Sequence, residues 1–218
     1  MNKVAGPLEV IIHVVDDDES FHATVSRLLR AAGYNVRNYT NVGRFLLTRF
    51  DEAPGCILLD VRMPGINGLD LQEALTMRMQ TPPIIFVSGY RDVPSTVRAI
   101  KAGAVDFLTK PVRREVLLSA IENALAHDAG ERSAREKLKH WHADYETLTP
   151  RELEVYNRVI AGKMNKEIAG ELSASERTVK AHRAQVMRKM HASSLAELVH
   201  IADHLHTGGI GLGLSVTR

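Results

Sequence analysis

Cysteine is nearly absent from this 218-residue chain: Cys56 stands alone. One thiol closes no internal disulfide and supplies no Cys-rich metal cluster, which fits a reducing compartment. Aromatic residues are scarce at 5%, with a single tryptophan. No stretch approaches the roughly 18 uninterrupted apolar residues of a membrane span. The opening Met-Asn-Lys-Val-Ala-Gly-Pro lacks the apolar core of a secretory signal. A strong excess of one charge is missing too, since the net charge is only +2. What remains is 44% hydrophobic and 25% charged, the balance of a globular chain with room for one large domain or two small ones. The expectation is a cytoplasmic protein with no membrane partner.

The distribution of charge says more than its sum. Residues 175–191 hold Arg177, Lys180, Arg183, Arg188 and Lys189 against one acid, Glu176. Such a local surplus on one helix is the footprint of a phosphate-backbone contact, although a solvated helix face looks the same on charge alone.

The first 126 residues alternate between two periodicities. Short β-rich apolar runs fall at Val10–Val15, Val36–Tyr39, Cys56–Leu59, Ile84–Val87 and Val105–Leu108. Helical patterns separate and close them at Phe21–Ala32, Val42–Phe50, Leu69–Met79, Val93–Ala102 and Glu115–Ala126. Five strand–helix repeats predict right-handed crossovers and a doubly wound, five-stranded parallel sheet covered on both faces. In such a sheet, ligands bind outside the carboxyl ends of the strands. The first strand ends in Asp16-Asp17-Asp18, the third in Asp60, the fourth in Ser88 and the fifth in Lys110-Pro111. Acids, a hydroxyl and a cation thus fall at one edge.

Beyond Ala126 the β pattern stops. In the polar segment 127–147, Ala134, Leu138, Trp141, Tyr145 and Leu148 recur at heptad spacing over barely two heptads. This predicts a helical linker, acting as a dimer or signalling helix or packing its stripe on a neighbouring domain. Residues 148–206 read as an all-α four-helix domain. Thr149-Pro150-Arg151-Glu152 is a helix start, with a hydroxyl N-cap, a first-turn proline and Glu at the third position. Helices are expected to Ile160, over Lys166–Leu172, from Glu176 to Met190 and over Leu195–His206, and residues 207–218 are expected to be a flexible glycine-rich tail.

Three acids with no sulfur ligand suit a hard divalent cation such as Mg2+, which keeps waters and takes one or two carboxylates plus a phosphate oxygen. Asp16, Asp17 and Asp60 supply that donor set, with Asp60 as acceptor of a phosphoryl group, Lys110 balancing charge and Ser88 hydrogen-bonding a phosphoryl oxygen. Phosphoryl transfer needs mainly such positioning and charge neutralisation. A lone Asp at a strand end is ordinarily a helix N-cap; the convergence of several groups favours chemistry.

The runs Val14-Val15-Asp16-Asp17-Asp18, Leu58-Leu59-Asp60-Val61-Arg62-Met63-Pro64-Gly65, Val87-Ser88-Gly89 and Lys110-Pro111 resemble a two-component receiver domain, flavodoxin-like in fold, over residues 8–126. The resemblance implies that Asp60 is phosphorylated by a sensor histidine kinase. It implies that Asp17 and Asp60 bind Mg2+ directly, that Asp16 acts through water, and that the Arg62 backbone carbonyl completes the site. It also implies a cis peptide after Lys110 and a switch aromatic at Phe107.

At the other end, a short helix, a three-residue turn and a basic helix make a helix-turn-helix pattern. Leu148-Thr149-Pro150-Arg151-Glu152, Gly162-Lys163-Met164-Asn165-Lys166-Glu167-Ile168-Ala169 and Thr178-Val179-Lys180-Ala181-His182-Arg183 resemble the LuxR-type DNA-binding domain. Both halves together resemble the NarL/FixJ subfamily of response regulators, closest to the FixJ branch. Carried over by position, Lys180, Ala181 and Ala184 meet bases, while Asn165, Lys166, Thr178, His182, Arg183 and Lys189 meet phosphates. Ala184 departs from relatives with a longer basic side chain, so specificity does not transfer. The last helix resembles a dimerisation helix, which implies an inverted-repeat operator on double-stranded DNA, a homodimer on phosphorylation and RNA polymerase as a further partner.

The reading is therefore a non-enzymatic, phosphorylation-dependent transcriptional regulator. Its alternative is a phosphorylation-independent regulator whose receiver is a protein-interaction module. A phosphohydrolase of the haloacid dehalogenase type would carry a second Asp two residues after the nucleophile, where Arg62 stands. An autoinducer-binding regulator would need a ligand pocket in place of the acid cluster. His200 and His204 share a helix face, and His206 is near, but no acid or Cys joins them at a fitting spacing; they read as a polar helix edge.

Overall fold

The computed structural model describes residues 9–48, 50, 53–77, 81–89 and 92–208. Five strands, β1 (Ile11–Val15), β2 (Asn35–Tyr39), β3 (Gly55–Asp60), β4 (Ile84–Ser88) and β5 (Asp106–Thr109), form one parallel sheet in the order β2-β1-β3-β4-β5. The helices are α1 (Glu19–Ala31), α2 (Val42–Leu46), α3 (Gly68–Thr76), α4 (Val93–Lys101), α5 (Arg114–Glu146), α6 (Pro150–Ile160), α7 (Asn165–Glu171), α8 (Glu176–Lys189) and α9 (Leu195–Gly208). The chain divides into two compact units, Met1–Glu131 and Arg132–Arg218.

Burial on both faces explains the continuous apolar runs of the first unit. In β3, Cys56 and Leu58 join Val25 and Leu29 of α1 and Leu117 and Ile121 of α5 in one core. The alternate residues Ile57 and Leu59 join Phe45 of α2 and Leu69, Leu71 and Leu75 of α3 on the other side. β2 lies at the edge, so Asn35, Arg37 and Asn38 are exposed.

Three elements differ from the sequence expectation. α2 ends at Leu46, closed by Leu47, instead of reaching Phe50; α3 ends at Thr76, and residues 78–80 lie outside the described residues. α5 runs unbroken from Arg114 to Glu146, absorbing the segment expected to be a separate linker. Nothing in it stops a helix: it contains no proline, and its one glycine, Gly130, costs about 1 kcal/mol without breaking the hydrogen-bond ladder. The expected tail lies outside the described residues from position 209 onward.

The second unit is built on Val155, Tyr156 and Val159 of α6, Ile168 of α7, Val179 and Val186 of α8, Met190, and Leu198, Ile201 and Leu205 of α9. The apolar stripe Leu138, Trp141, Tyr145 and Leu148 packs against this core. Its spacing thus serves packing within the helical unit. The capping box at the start of α6 forms in both directions: Thr149 Oγ1 accepts from the Glu152 N–H, and Glu152 Oε2 accepts from the Thr149 N–H. Among the described residues no helix is long and apolar enough to cross a membrane.

Candidate functional site: an acidic strand-end cluster and a basic helix

Asp16 follows β1, Asp60 and Ser88 are the last residues of β3 and β4, and Lys110 follows β5. Parallel pairing with these registers brings all four to one edge. Carboxylate oxygens of Asp16, Asp17 and Asp60 lie within 4.8 Å of one another. Asp16 and Asp60 are buried and Asp17 is exposed. Lys110 Nζ donates to Asp16 Oδ2 at 2.6 Å and reaches Asp60 Oδ2 at 3.4 Å. The ammonium therefore sits nearer Asp16 than Asp60. It also lies 4.3 Å from the centre of the Phe21 ring, a cation–π contact. The Lys110–Pro111 peptide is cis, and the Lys110 N–H donates to the Ser88 carbonyl at 2.8 Å. Phe107 is half-buried and stacks on Phe86 at 6.0 Å.

Burial, foremost, raises the Asp60 carboxyl above the ordinary carboxylate range; Lys110 pulls it back and Asp16 pushes it up again. Three acids facing one lysine leave uncompensated negative charge in a partly buried, all-oxygen donor set. That set fits a hard divalent cation, which is the residue-level requirement for a Mg2+ site. The Arg62 N–H approaches Asp60 Oδ1 at 3.4 Å, which brings the Arg62 backbone beside the cluster.

Two residues not singled out in the sequence shape this edge. Asp18 is an N-cap, accepting from the Ser20 and Phe21 N–H groups at the start of α1; the Ser20 hydroxyl, which also donates to it, and then the Phe21 N–H lower its carboxyl. Its position two residues before Ser20 and ahead of an apolar pattern is an N-cap signal. Gly68 opens α3 so close to β3 that its N–H donates to the Val61 carbonyl at 2.9 Å.

In the helical unit, α7, the turn Ser173–Ser175 and α8 form a helical hairpin. Val179, Val186 and Met190 are buried, while Thr178, Lys180, Ala181 and Ala184 are exposed on the opposite side. His182 and Arg183 are half-buried, and Arg183 Nη1 donates to Asn165 Oδ1 at 3.3 Å, tying α8 to the start of α7. Lys166 on α7 is exposed.

A receiver-domain family, "Response regulator receiver domain", matches residues 12–122, and "Bacterial regulatory proteins, luxR family" matches residues 146–202. The response regulator protein TodT of Pseudomonas putida is 44% identical over 195 residues, covering 89% of this chain and 86% of TodT. This chain belongs to the NarL/FixJ-type response regulators. The regulator also resembles the solved structure of the response regulator StyR, at 45% identity and a TM-score of 0.77, over 89% of this chain and 98% of that one. Full-length FixJ from B. japonicum matches at 38% identity and a TM-score of 0.52, over 90% and 97%. A receiver joined to a LuxR-type domain makes the regulator a transcriptional one.

One expected DNA contact of the regulator, Lys189, has partners within the helical unit. Lys189 Nζ donates to Glu152 Oε2 at 2.6 Å and to the Thr147 carbonyl at 2.8 Å, and its side chain is only 25% exposed. An ammonium held by a buried carboxylate and a carbonyl joins the end of α8 to the cap of α6. Glu152 responds in kind: the Lys189 hydrogen bond, then the Thr149 N–H, lower its carboxyl to about 2.

Proposed function

We propose that the regulator is switched by phosphoryl transfer from a sensor histidine kinase to Asp60. The observation that carries this reading is the approach of the Asp16, Asp17 and Asp60 carboxylates within 4.8 Å beside the Lys110 ammonium, at the carboxyl edge of the sheet. An Asp60 oxygen attacks the phosphorus of the kinase's phosphohistidine. The P–N bond breaks, the imidazole leaves and takes up a proton, and an acyl phosphate remains. Lys110 moves its charge toward the new phosphoryl oxygens and the Ser88 hydroxyl donates to one of them. Asp17 and Asp60, with Asp16 through water and the Arg62 carbonyl, would hold Mg2+, which when bound would neutralise charge on the transferring group.

The Phe107 ring follows Ser88, repacking the surface of α4, β5 and the start of α5. A shift from one per cent to ninety-nine per cent active requires about 5.5 kcal/mol of differential stabilisation, within reach of a doubly charged group in a partly buried site. The active form dimerises and binds an inverted repeat, with Lys180, Ala181 and Ala184 toward bases and Asn165, Lys166, Thr178, His182 and Arg183 toward phosphates. RNA polymerase is the partner downstream. DNA as a partner implies a cytoplasmic location.

The test is DNA binding by the purified regulator on a random-sequence pool, with and without acetyl phosphate and Mg2+, beside Asp60→Asn. Stronger specific binding by wild type alone, lost on chelation of Mg2+, is the expected result. Specific binding indifferent to acetyl phosphate and to Asp60→Asn would sink the switch and leave the receiver as a protein-interaction module.

A further inference from the structure

His200 and His204 lie one turn apart on the exposed side of α9, with ring centres 4.3 Å apart. Each ring meets Trp141 in an edge contact, at 6.0 Å for His200 and 5.5 Å for His204. His204 Nδ1 lies 2.8 Å from the His200 carbonyl oxygen. A carbonyl only accepts, so Nδ1 carries the proton and, in the neutral ring, Nε2 carries the lone pair. A hydrogen bond from the non-ligating nitrogen to a carbonyl is what orients a metal-binding imidazole.

Two histidines at i and i+4 present two nitrogens to one cation from a single helix face. With metal–nitrogen bonds of about 2.0–2.1 Å, the two ring centres of a chelating pair stand roughly 4.5–5 Å apart. The observed 4.3 Å is close to that separation. We propose that His200 and His204 form a two-imidazole site for a divalent transition metal of the Zn2+ and Cu2+ class. An all-imidazole pair selects these ions over Mg2+, which seeks oxygen, so the site is chemically separate from the carboxylate cluster of the other unit. Water fills the remaining positions. The carboxylate of Glu197, one turn before His200, adds a field that favours a cation. The inference does not depend on phosphorylation of Asp60.

Trp141 is the chain's one tryptophan, so its emission is a built-in reporter beside both rings. Cu2+ alone is titrated into the full-length protein in excess Mg2+, which occupies the carboxylates. Saturable quenching is expected, and a large excess of Zn2+, which has a filled d shell and binds such a site more weakly than Cu2+, restores the emission by displacing it. His200→Gln and His204→Gln each raise the quenching midpoint roughly tenfold or more, since loss of a direct ligand costs at least as much as loss of an outer partner. His206→Gln serves as the control: its Nδ1 makes the same kind of bond, to the Ala202 carbonyl, yet it lies off the pair and leaves the midpoint unchanged. Calorimetric titration with Zn2+ provides an independent readout: one site per chain in wild type and none in the double variant supports the proposal. Quenching unchanged in both single variants, failure of Zn2+ to compete, or Zn2+ heat retained in the double variant overturns it. Both positions are exposed, and far-UV circular dichroism of each variant checks that the fold is intact.

Discussion

A β-carbon on Gly68 would sit 2.1 Å from the carbonyl oxygen of Asp60, a backbone atom with nowhere to move except by shifting β3. The position of Asp60 therefore depends on a residue outside the acidic cluster. Gly68→Ala is expected to cost about 1–3 kcal/mol of stability, the range for overpacking a tight site, and to slow phosphoryl uptake by Asp60. Urea denaturation alongside acetyl phosphate labelling measures both; wild-type values in the two assays would refute the prediction. Ser173 is the reverse case. It holds φ of 48° in the turn after α7, a left-handed conformation that costs a side chain with a β-carbon energy. Ser173→Gly relieves this and should stabilise the helical unit by roughly 0.5–1 kcal/mol, the remainder being offset by the freer unfolded chain. The cap of α8 belongs to Ser175, whose Oγ accepts from the Thr178 N–H, so DNA affinity should not change.

At the scale of the element, α8 carries lysines with different surroundings. Lys180 is exposed on the face opposite Val179 and Val186, whereas Lys189 is clasped by Glu152 and Thr147. Lys166 stands exposed on α7. Lys166→Ala should weaken binding to all sequences alike and reduce the slope of log affinity against log salt by about one, the signature of one lost phosphate contact. Lys180→Ala should relax the preference at one base position, by about 1–3 kcal/mol. Lys189→Met should leave the salt slope alone and lower the melting temperature, because it strips a buried carboxylate of its cation. Salt-dependent binding isotherms and melting curves separate the three, and a reduced slope in Lys189→Met would restore it as a phosphate contact. These roles were unevenly legible from the chain. The continuous apolar runs of β3 and β4 follow from burial on both faces, and with them the polar groups at the strand ends, Asp60 and Ser88. The partnership of Lys189 with Glu152 spans 37 positions and leaves no local mark. The length of α5 was hidden for a related reason: residues 127–147 look polar, and only the folded core shows what Leu138, Trp141 and Tyr145 cover. Lys110 was legible as a charge at the edge, but its closer approach to Asp16 than to Asp60 is a matter of ångströms that no spacing encodes.

Across the whole molecule, the carboxyls that folding perturbs among the described residues are divided unequally between the two units. In the helical unit Glu152, Glu171 and Glu197 are all held below their ordinary range, by Lys189, by Lys163 and Arg158, and by Ser193 respectively. In the receiver unit Asp18 is lowered and Asp60 is raised, so their effects oppose each other. A carboxyl depressed by folding stabilises the fold above its unfolded value and loses that contribution as acid protonates it. For Glu152, ordinarily at 4.5, the contribution is complete at neutral pH, declines as pH falls below about 4.5 and is gone below about 2. Its full size is on the order of 3 kcal/mol. Acid should therefore unfold the helical unit ahead of the receiver. The two transitions can be told apart because Trp141, the only tryptophan, packs on the core of the helical unit. Calorimetric scans from pH 7 to about pH 3 should show one transition moving down steeply, and tryptophan emission should follow that one. In Glu152→Gln the same transition should begin lower at pH 7 and depend less on pH, since the residue with the largest depression no longer titrates. A tryptophan-reported transition that tracks the other, or an acid slope unchanged by Glu152→Gln, would show that the Glu152–Lys189 clasp does not set the stability of the DNA-binding half.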